Sequence, residues 1–172
     1  MKKLLLVIPS VFLFSFTLGC QDKEAMAELE EFKARAEVEE QNKELISNYL
    51  KEWEKRNWES LKEFFAPNAL VYYPSNAEPK PPQEEIIEGM SEVHLKIEEL
   101  LAVGDKVIAR GVVQATPTEE YQVKLETDKI EYSWITMFQI EDGKIVEIRD
   151  EVDMLGLLQQ HGWELKPKKA EK

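Results

Sequence analysis

The chain has few of the residues on which several common kinds of active site depend. Its 172 residues include one cysteine, Cys20, and two histidines, His94 and His161, which lie far apart in the sequence. No cluster of cysteines and histidines has the spacing of a zinc site, and no glycine-rich loop has the pattern that binds phosphates. No Ser-His-Asp arrangement can be assembled either. We therefore expect no metal and no cofactor.

Positive charge is also scarce. The chain has 22 Lys and Arg residues against 34 Asp and Glu residues, so its formal net charge is −12 at pH 7. Such a charge repels nucleic-acid backbones and anionic lipid surfaces, which argues against nucleic acid as a partner. Hydrophobic residues make up 43% of the chain, which is ordinary for a globular protein and predicts a single domain of modest core.

Residues 1–20 have the organisation of an export signal. Lys2 and Lys3 precede an apolar run, residues 4–18, that is too short to span a bilayer comfortably. The segment ends in Thr-Leu-Gly-Cys, which is similar to a bacterial lipoprotein processing site. Lipidation would explain why an exported chain has Cys20 as an unpaired cysteine, so we expect a lipid-anchored protein of the cell envelope. The alternative is a plain secretory signal with an incidental cysteine.

The rest of the chain divides into a charged helix and one domain. Residues 21–41 are rich in Glu, Lys and Ala, and they predict a helical tether, with a short coiled coil as the alternative. Residues 42–165 carry the patterns of a folded domain, and residues 166–172 form a polar tail.

Within the domain, the sequence predicts helices, a strand, a short helix and then four antiparallel strands. Helices are expected at Asn42–Arg56, at Trp58–Phe65 with Asn57 as its cap, at Glu84–Met90 and at Asp153–Gln160. Strands are expected at Ala69–Tyr73, Val93–Ala102 and Lys106–Thr116, and on both sides of Asp142-Gly143. For the strand Lys106–Thr116 the sequence leaves two possible inward faces. One consists of the odd positions from Val107 to Ala115, and the other consists of Ile108 and Val112. This order predicts an α+β fold in which a curved antiparallel sheet packs against N-terminal helices.

The stretch around Asp142-Gly143 carries the most informative pattern. Asp-Gly between alternating apolar runs predicts a tight hairpin. On its first strand the even positions share one face; they are Tyr132, Trp134, Thr136, Phe138 and Ile140. On its second strand Asp150 shares a face with Val146, Ile148 and Val152, so an acid interrupts an apolar surface. Burial would raise the pKa of Asp150 toward the range useful for a general base, whereas a hydrated strand end is the alternative.

This stretch resembles the C-terminal signature of the SnoaL-like polyketide cyclases, within the nuclear-transport-factor-two-like superfamily. The matching residues are Asp142, Gly143, Lys144, Ile145, Val146, Glu147, Asp150, Asp153, Leu157, Leu158, Gln160 and Gly162, with His161 in place of the usual Leu. The resemblance extends more weakly from about Asn42 to Trp163. It implies a cone-shaped fold whose cavity lies between the concave sheet and the helices. It also implies that Asp150 acts as a general acid and base in a cofactor-free aldol ring closure.

The resemblance further implies which side chains line the cavity. The expected substrate-binding residues are Tyr49, Trp53, Trp134, Thr136 and Phe138. Thr136 stands where the cyclases carry a histidine, and a hydroxyl cannot hold a proton near neutral pH as histidine does. A strict two-residue turn would place Thr136 opposite Arg149, and a β-bulge is needed to bring it beside Asp150.

Three functions stay open from the sequence. The first is an envelope-anchored enzyme that uses Asp150 on a small apolar carbonyl compound. The second is a non-catalytic pocket for a small hydrophobic ligand. The third is an interaction module whose exposed sheet face forms a homodimer or binds a partner.

Overall fold

The computed structural model describes residues 23–73, 78–82, 90–117, 129–160, 162–164 and 166. The chain divides into two compact units, Met1–Ala36 and Glu37–Lys172. Helix α1 runs from Lys23 to Glu54. Its described residues in the first unit are all exposed, and everything below concerns the second unit. No helix among the described residues is long and apolar enough to cross a membrane.

Two of the predicted features lie outside the described residues. The first is the export signal with Cys20. The second is most of the helix predicted at Glu84–Met90, of which the structure describes only Met90, where a strand begins.

The second predicted helix is shorter than expected. An α-helix α2 spans Trp58–Leu61 and continues as one 3-10 turn, Lys62–Phe64. Asn57 caps it as predicted, because its Oδ1 accepts a hydrogen bond from the Ser60 backbone N at 3.3 Å. The chain becomes extended at Phe65. Pro67 disfavours helical geometry in Ala66, the residue directly before it, so the helix does not resume there.

Five strands form one sheet in the order β1-β5-β4-β3-β2. They are β1 Phe65–Tyr72, β2 Met90–Val103, β3 Lys106–Pro117, β4 Ile130–Glu141 and β5 Lys144–Val152, and helix α3, Met154–Gln160, follows. The expectation of a wholly antiparallel sheet is wrong, because β1 pairs with β5 in parallel. These two strands are separated in sequence by β2, β3 and β4, so no hairpin constrains their relative direction. The α+β class and the curved sheet are confirmed.

The end of the β2–β3 hairpin is held by side chains of α1. The turn at Gly104 needs a positive φ of 60°, which glycine adopts freely. Asn42, which is buried, donates from Nδ2 to the Gly104 carbonyl oxygen at 2.9 Å. The Gly104 amide in turn donates to Oε1 of Glu39 at 2.8 Å. The backbone N–H and C=O of Gly104 are therefore both hydrogen-bonded to side chains of α1.

The inner face of the sheet forms the core together with α1. Of the two faces left open for β3, the structure buries the odd positions, which are Val107, Ala109, Gly111, Val113 and Ala115. On β4 the even positions are the buried ones, as predicted. Tyr49 of α1 lies at the centre of this core, with edge-on aromatic contacts to Phe64, Phe65 and Phe138 at centroid distances of 5.6 to 5.8 Å.

The β4–β5 hairpin contains a bulge. Asp142 and Gly143 both have positive φ, as a two-residue hairpin turn requires. Ile145 pairs with Ile140 but Glu147 pairs with Gln139, so Val146 is an extra residue between consecutive pairs. The predicted face of β5 is therefore wrong at one position, because Ile145 rather than Val146 is the fully buried residue there.

Candidate active site

An apolar cavity of about 100 Å³ lies against the inner face of the sheet. Its aromatic lining comprises Tyr49, Trp53, Trp58, Phe65, Tyr73, Tyr132, Trp134 and Phe138. Leu50, Leu61, Val71, Pro82, Leu95, Val113, Ile148 and Val152 complete the apolar wall, and Thr136 and Asp150 add polar groups. Asp150 is the single acid among the described residues that line it.

The structure brings to this cavity all six residues that the sequence predicts for catalysis and substrate binding. Tyr49 and Trp53 come from α1. Both reach the cavity because they lie four positions apart on the apolar stripe of this helix. Trp134, Thr136 and Phe138 come from alternate positions of β4, and Asp150 comes from β5. Their roles in binding and catalysis stay predictions.

Asp150 and Thr136 face each other across β4 and β5. The bulge at Val146 puts them in register, and the Thr136 hydroxyl donates a hydrogen bond to Oδ1 of Asp150. Thr136 is buried, whereas Asp150 is partly buried. The carboxylate is thus held by a neighbouring strand while it still borders the cavity.

The surroundings of Asp150 make it a stronger base than an exposed aspartate. Burial raises the pKa of Asp150, and the negative charge of Glu151 raises it further, while the hydrogen bond from Thr136 opposes the rise. Burial is the largest of these effects, so the pKa lies above its ordinary value. A carboxylate with a raised pKa is suited to accept a proton from a weakly acidic C–H bond.

Sequence reasoning missed Tyr73, which lines the same cavity. Burial, followed by the negative charge of Asp150, raises the pKa of Tyr73 to about 12. Burial also raises the pKa of Tyr49, with smaller contributions from Tyr73 and Asp150. Both phenols therefore keep their protons at neutral pH and can donate hydrogen bonds. The sequence carried a signal for it, because period-two alternation in the predicted strand Ala69–Tyr73 places Tyr73 on the same face as the apolar residues Ala69 and Val71.

Trp134 contributes a polar group as well as apolar surface. Its indole Nε1 is buried and has no hydrogen-bond partner among the described residues. The ring lies close to Gly111, its register partner on β3, where an added Cβ would come within 3.2 Å of the indole Cζ2. A glycine at position 111 therefore provides the space that the indole ring occupies.

Over the described part of the chain, no group of three or more His, Cys, Asp or Glu side chains could hold a metal ion. The arrangement around Asp150 is instead one carboxylate with neutral donors in an apolar setting. Such a setting suits proton transfer on an uncharged molecule.

Comparison with known proteins identifies the family. The sequence pattern of the SnoaL-like polyketide cyclases matches residues 43–161, more than half of the chain. The chain belongs to this family. No curated protein matches it in sequence.

Several solved structures share the SnoaL-like fold with this chain. AclR from Streptomyces galilaeus, named as a candidate hydroxylase, has a TM-score of 0.65 at 20% identity, covering 76% of this chain and 91% of that one. A candidate SnoaL-like polyketide cyclase from Jannaschia sp. CCS1 has a TM-score of 0.65 at 18% identity, covering 74% and 96%. An LEH-like epoxide hydrolase from M. tuberculosis has a TM-score of 0.55 at 15% identity, covering 70% of this chain and 91% of that one. At these identities the likenesses show the fold alone.

Proposed function

We propose that this SnoaL-like protein is an envelope-anchored, cofactor-independent enzyme that moves a proton next to the carbonyl group of a small apolar compound. Asp150 is the general base and later the general acid. The observation that carries the proposal is the position of its carboxylate, at the edge of an apolar cavity and with a raised pKa. Proton abstraction next to a carbonyl needs such a positioned base and no metal.

The proposed reaction is either an isomerisation or an aldol ring closure. Asp150 takes the proton from the carbon beside the carbonyl, and the C–H electron pair forms the carbon–carbon double bond of an enolate. In an isomerisation the proton returns to another carbon of the same molecule. In an aldol closure the enolate carbon attacks a second carbonyl, and Asp150 returns the proton to the new alkoxide.

A direct test needs no knowledge of the natural substrate. In D₂O, a base beside a bound ketone exchanges the α-hydrogens of that ketone for deuterium, which NMR detects. We expect the wild-type chain to accelerate this exchange in cyclohexanone, and Asp150→Asn to lower the rate about 100-fold or more. Asp142→Asn is the control, because Asp142 lies in an exposed turn and Asn also tolerates its positive φ. Equal exchange by wild type and Asp150→Asn would refute the proposal.

The envelope location rests on the export signal and on lipidation of Cys20. Its test is the mass of the mature chain, which should begin at Cys20 and carry acyl groups. A Cys20→Ser variant should lose the acyl groups and leave the membrane fraction. An unmodified Cys20 in a chain that still begins with Met1 would contradict this part.

The presence of Thr136 where the cyclases carry histidine favours a second candidate, a non-catalytic pocket for a small hydrophobic ligand. Members of the family bind small molecules, and the cavity would supply the binding surface. This function predicts a ligand-dependent rise in melting temperature that persists in Asp150→Asn, together with no α-hydrogen exchange. Exchange that depends on Asp150 would exclude it.

The exposed apolar side chains on the outer face of the sheet support a third candidate, an interaction module that forms a homodimer. This candidate is compatible with the enzyme and with the ligand-binding pocket. Family members are often dimers. Large apolar side chains are exposed on this face; they are Leu101, Val103, Ile108 and Ile135, and Leu101 pairs with Ile108 across β2 and β3. We expect sedimentation to show a concentration-dependent dimer that Leu101→Lys dissociates. A wild-type chain that stays monomeric at all concentrations would argue against it.

A further inference from the structure

The indole N–H of Trp134 is a hydrogen-bond donor with no acceptor in the described part of the chain. Trp134 is 6% exposed, and its Nε1 has no partner among the described residues. Indole nitrogen can only donate, so neither a neighbouring donor nor a proton shift can satisfy it. A buried donor without an acceptor is unfavourable, and native structures rarely keep one without a reason.

Trp134 lies next to Asp150 in the lattice of the sheet. It is two positions from Thr136 on the same face of β4, and the paired residues on β5 are Val152 and Asp150. Trp134 and Asp150 therefore occupy adjacent rungs on neighbouring strands, and both line the cavity. The Thr136 hydroxyl between them is already committed to the carboxylate. Of these two donors on β4, the indole N–H is the one with no partner among the described residues.

We propose that the Trp134 N–H binds an oxygen acceptor of the ligand, namely its carbonyl oxygen, and so makes this cavity select ketones over hydrocarbons of the same shape. The inference rests on the proposed function, because it assigns the orientation of the same carbonyl compound.

The donor also suits the proposed proton transfer. When Asp150 takes the α-proton, the C–H electron pair forms the carbon–carbon double bond and the carbonyl π pair moves onto oxygen. The oxygen becomes negative and accepts more strongly from the Trp134 N–H, while the indole keeps its proton throughout. When the carbon is reprotonated, the pairs return and Asp150 is again a carboxylate. A preorganised donor in an apolar cavity stabilises the charged oxygen without reorganisation.

The test compares two probes that differ at one position. Cyclohexanone and methylenecyclohexane share a six-membered ring, and a C=CH₂ group replaces C=O in the second. We expect NMR titration of the full chain to give a ratio of ketone affinity to hydrocarbon affinity that is about tenfold higher in wild type than in Trp134→Phe, the usual scale of one hydrogen bond. Trp134→Phe keeps an aromatic ring but has no donor, so the ketone loses its hydrogen bonds to water without a replacement. Comparison of the two ratios removes the different hydration of the probes, and Asp150→Asn should keep the wild-type ratio.

The outcomes separate this inference from the function on which it rests. An affinity ratio that is the same in wild type and in Trp134→Phe would overturn the inference alone, as would a ratio that falls as far in Asp150→Asn as in Trp134→Phe. Failure of wild type to bind either probe would overturn both proposals. A lower ratio of ketone affinity to hydrocarbon affinity in Trp134→Phe alone would support the inference, provided that thermal unfolding of this variant is still cooperative.

A second measurement covers the case in which Trp134→Phe does not fold. The chain has four tryptophans, so its wild-type indole N–H resonances can be assigned with Trp53→Phe, Trp58→Phe and Trp163→Phe. Cyclohexanone should move the remaining, Trp134 resonance downfield, as hydrogen bonding does, and methylenecyclohexane should not. A Trp134 resonance that responds equally to both probes would overturn the inference.

Discussion

Thr136 donates its hydroxyl proton to the carboxylate of Asp150 across the β4–β5 ladder. The two residues meet because Val146 is an extra residue between the turn and this pair. Without the bulge, Arg149 would face Thr136, and Asp150 would point to the outer face of the sheet. One unpaired residue near the turn thus decides which face of the sheet carries the acid.

Removal of the Thr136 hydroxyl should make Asp150 a stronger base. The Thr136 hydrogen bond favours the charged carboxylate and lowers its pKa, so Thr136→Val should raise the pKa of Asp150 further. We expect the acid limb of the pH–rate profile for α-hydrogen exchange to move to higher pH. Thr116→Val is a matched control, because that hydroxyl contacts Glu92 outside the cavity. An acid limb at the wild-type pH in Thr136→Val would show that the hydrogen bond has no effect on the base.

Asp150→Asn should change how stability depends on pH. Burial raises the pKa of Asp150, so the folded chain binds this proton more tightly than the unfolded chain does. Stability contributed by the protonated group is therefore present at low pH, and it is lost as pH rises from about 3.9, the ordinary aspartate value, through the raised folded pKa. The amide of the Asp150→Asn variant does not titrate, so the free energy of unfolding of the variant minus that of wild type should grow across this range and then level off.

Urea unfolding at a series of pH values from about 3 to about 8 measures this difference. Titration of the other acids is common to both chains and cancels. A difference that shrinks with rising pH would mean that the folded state favours the charged carboxylate.

Tyr73 should weaken the folded state in alkaline solution. Its pKa is about 12 in the folded chain, against about 10 for an ordinary tyrosine, so the folded state holds this proton longer. Stability should therefore fall as pH rises from about 10 to about 12, and Tyr73→Phe should raise the pH midpoint of alkaline unfolding. Circular dichroism measures this midpoint. Tyr72→Phe is the control, since that ring packs under the Arg149 guanidinium at 4.0 Å rather than lining the cavity.

Gly111→Ala should be much more destabilising than Gly104→Ala. A Cβ at Gly111 would overlap the backbone carbonyl of Lys96 on β2 and press on the Trp134 ring. We expect a loss of about 3 kcal/mol in the free energy of unfolding and weaker binding of cyclohexanone. Gly104 has a positive φ but open space around it, so Ala there should cost about 1 to 2 kcal/mol and leave binding unchanged. Equal losses measured by urea unfolding would argue against close packing at position 111.

Much of the fold followed from local patterns in the sequence. Period-two alternation identified the buried face of β4, because the side chains of a strand alternate whatever its partners are. Asp-Gly identified the turn, because these two residues tolerate the positive φ that the turn requires. The apolar stripe of α1 placed Tyr49 and Trp53 on one side of a helix for the same local reason. These patterns identified the faces of α1 and β4 that meet at the cavity.

The tertiary structure decided what depends on distant pairing. The parallel alignment of β1 with β5 and the position of the bulge at Val146 depend on which strands meet, and no local pattern encodes that choice. Alternation indicates the face on which Tyr73 lies, whereas the pairing of β1 with β5 brings that face to the cavity. That the indole N–H of Trp134 has no acceptor among the described residues follows only from the packed interior, because sequence alone does not show which groups lie around a side chain.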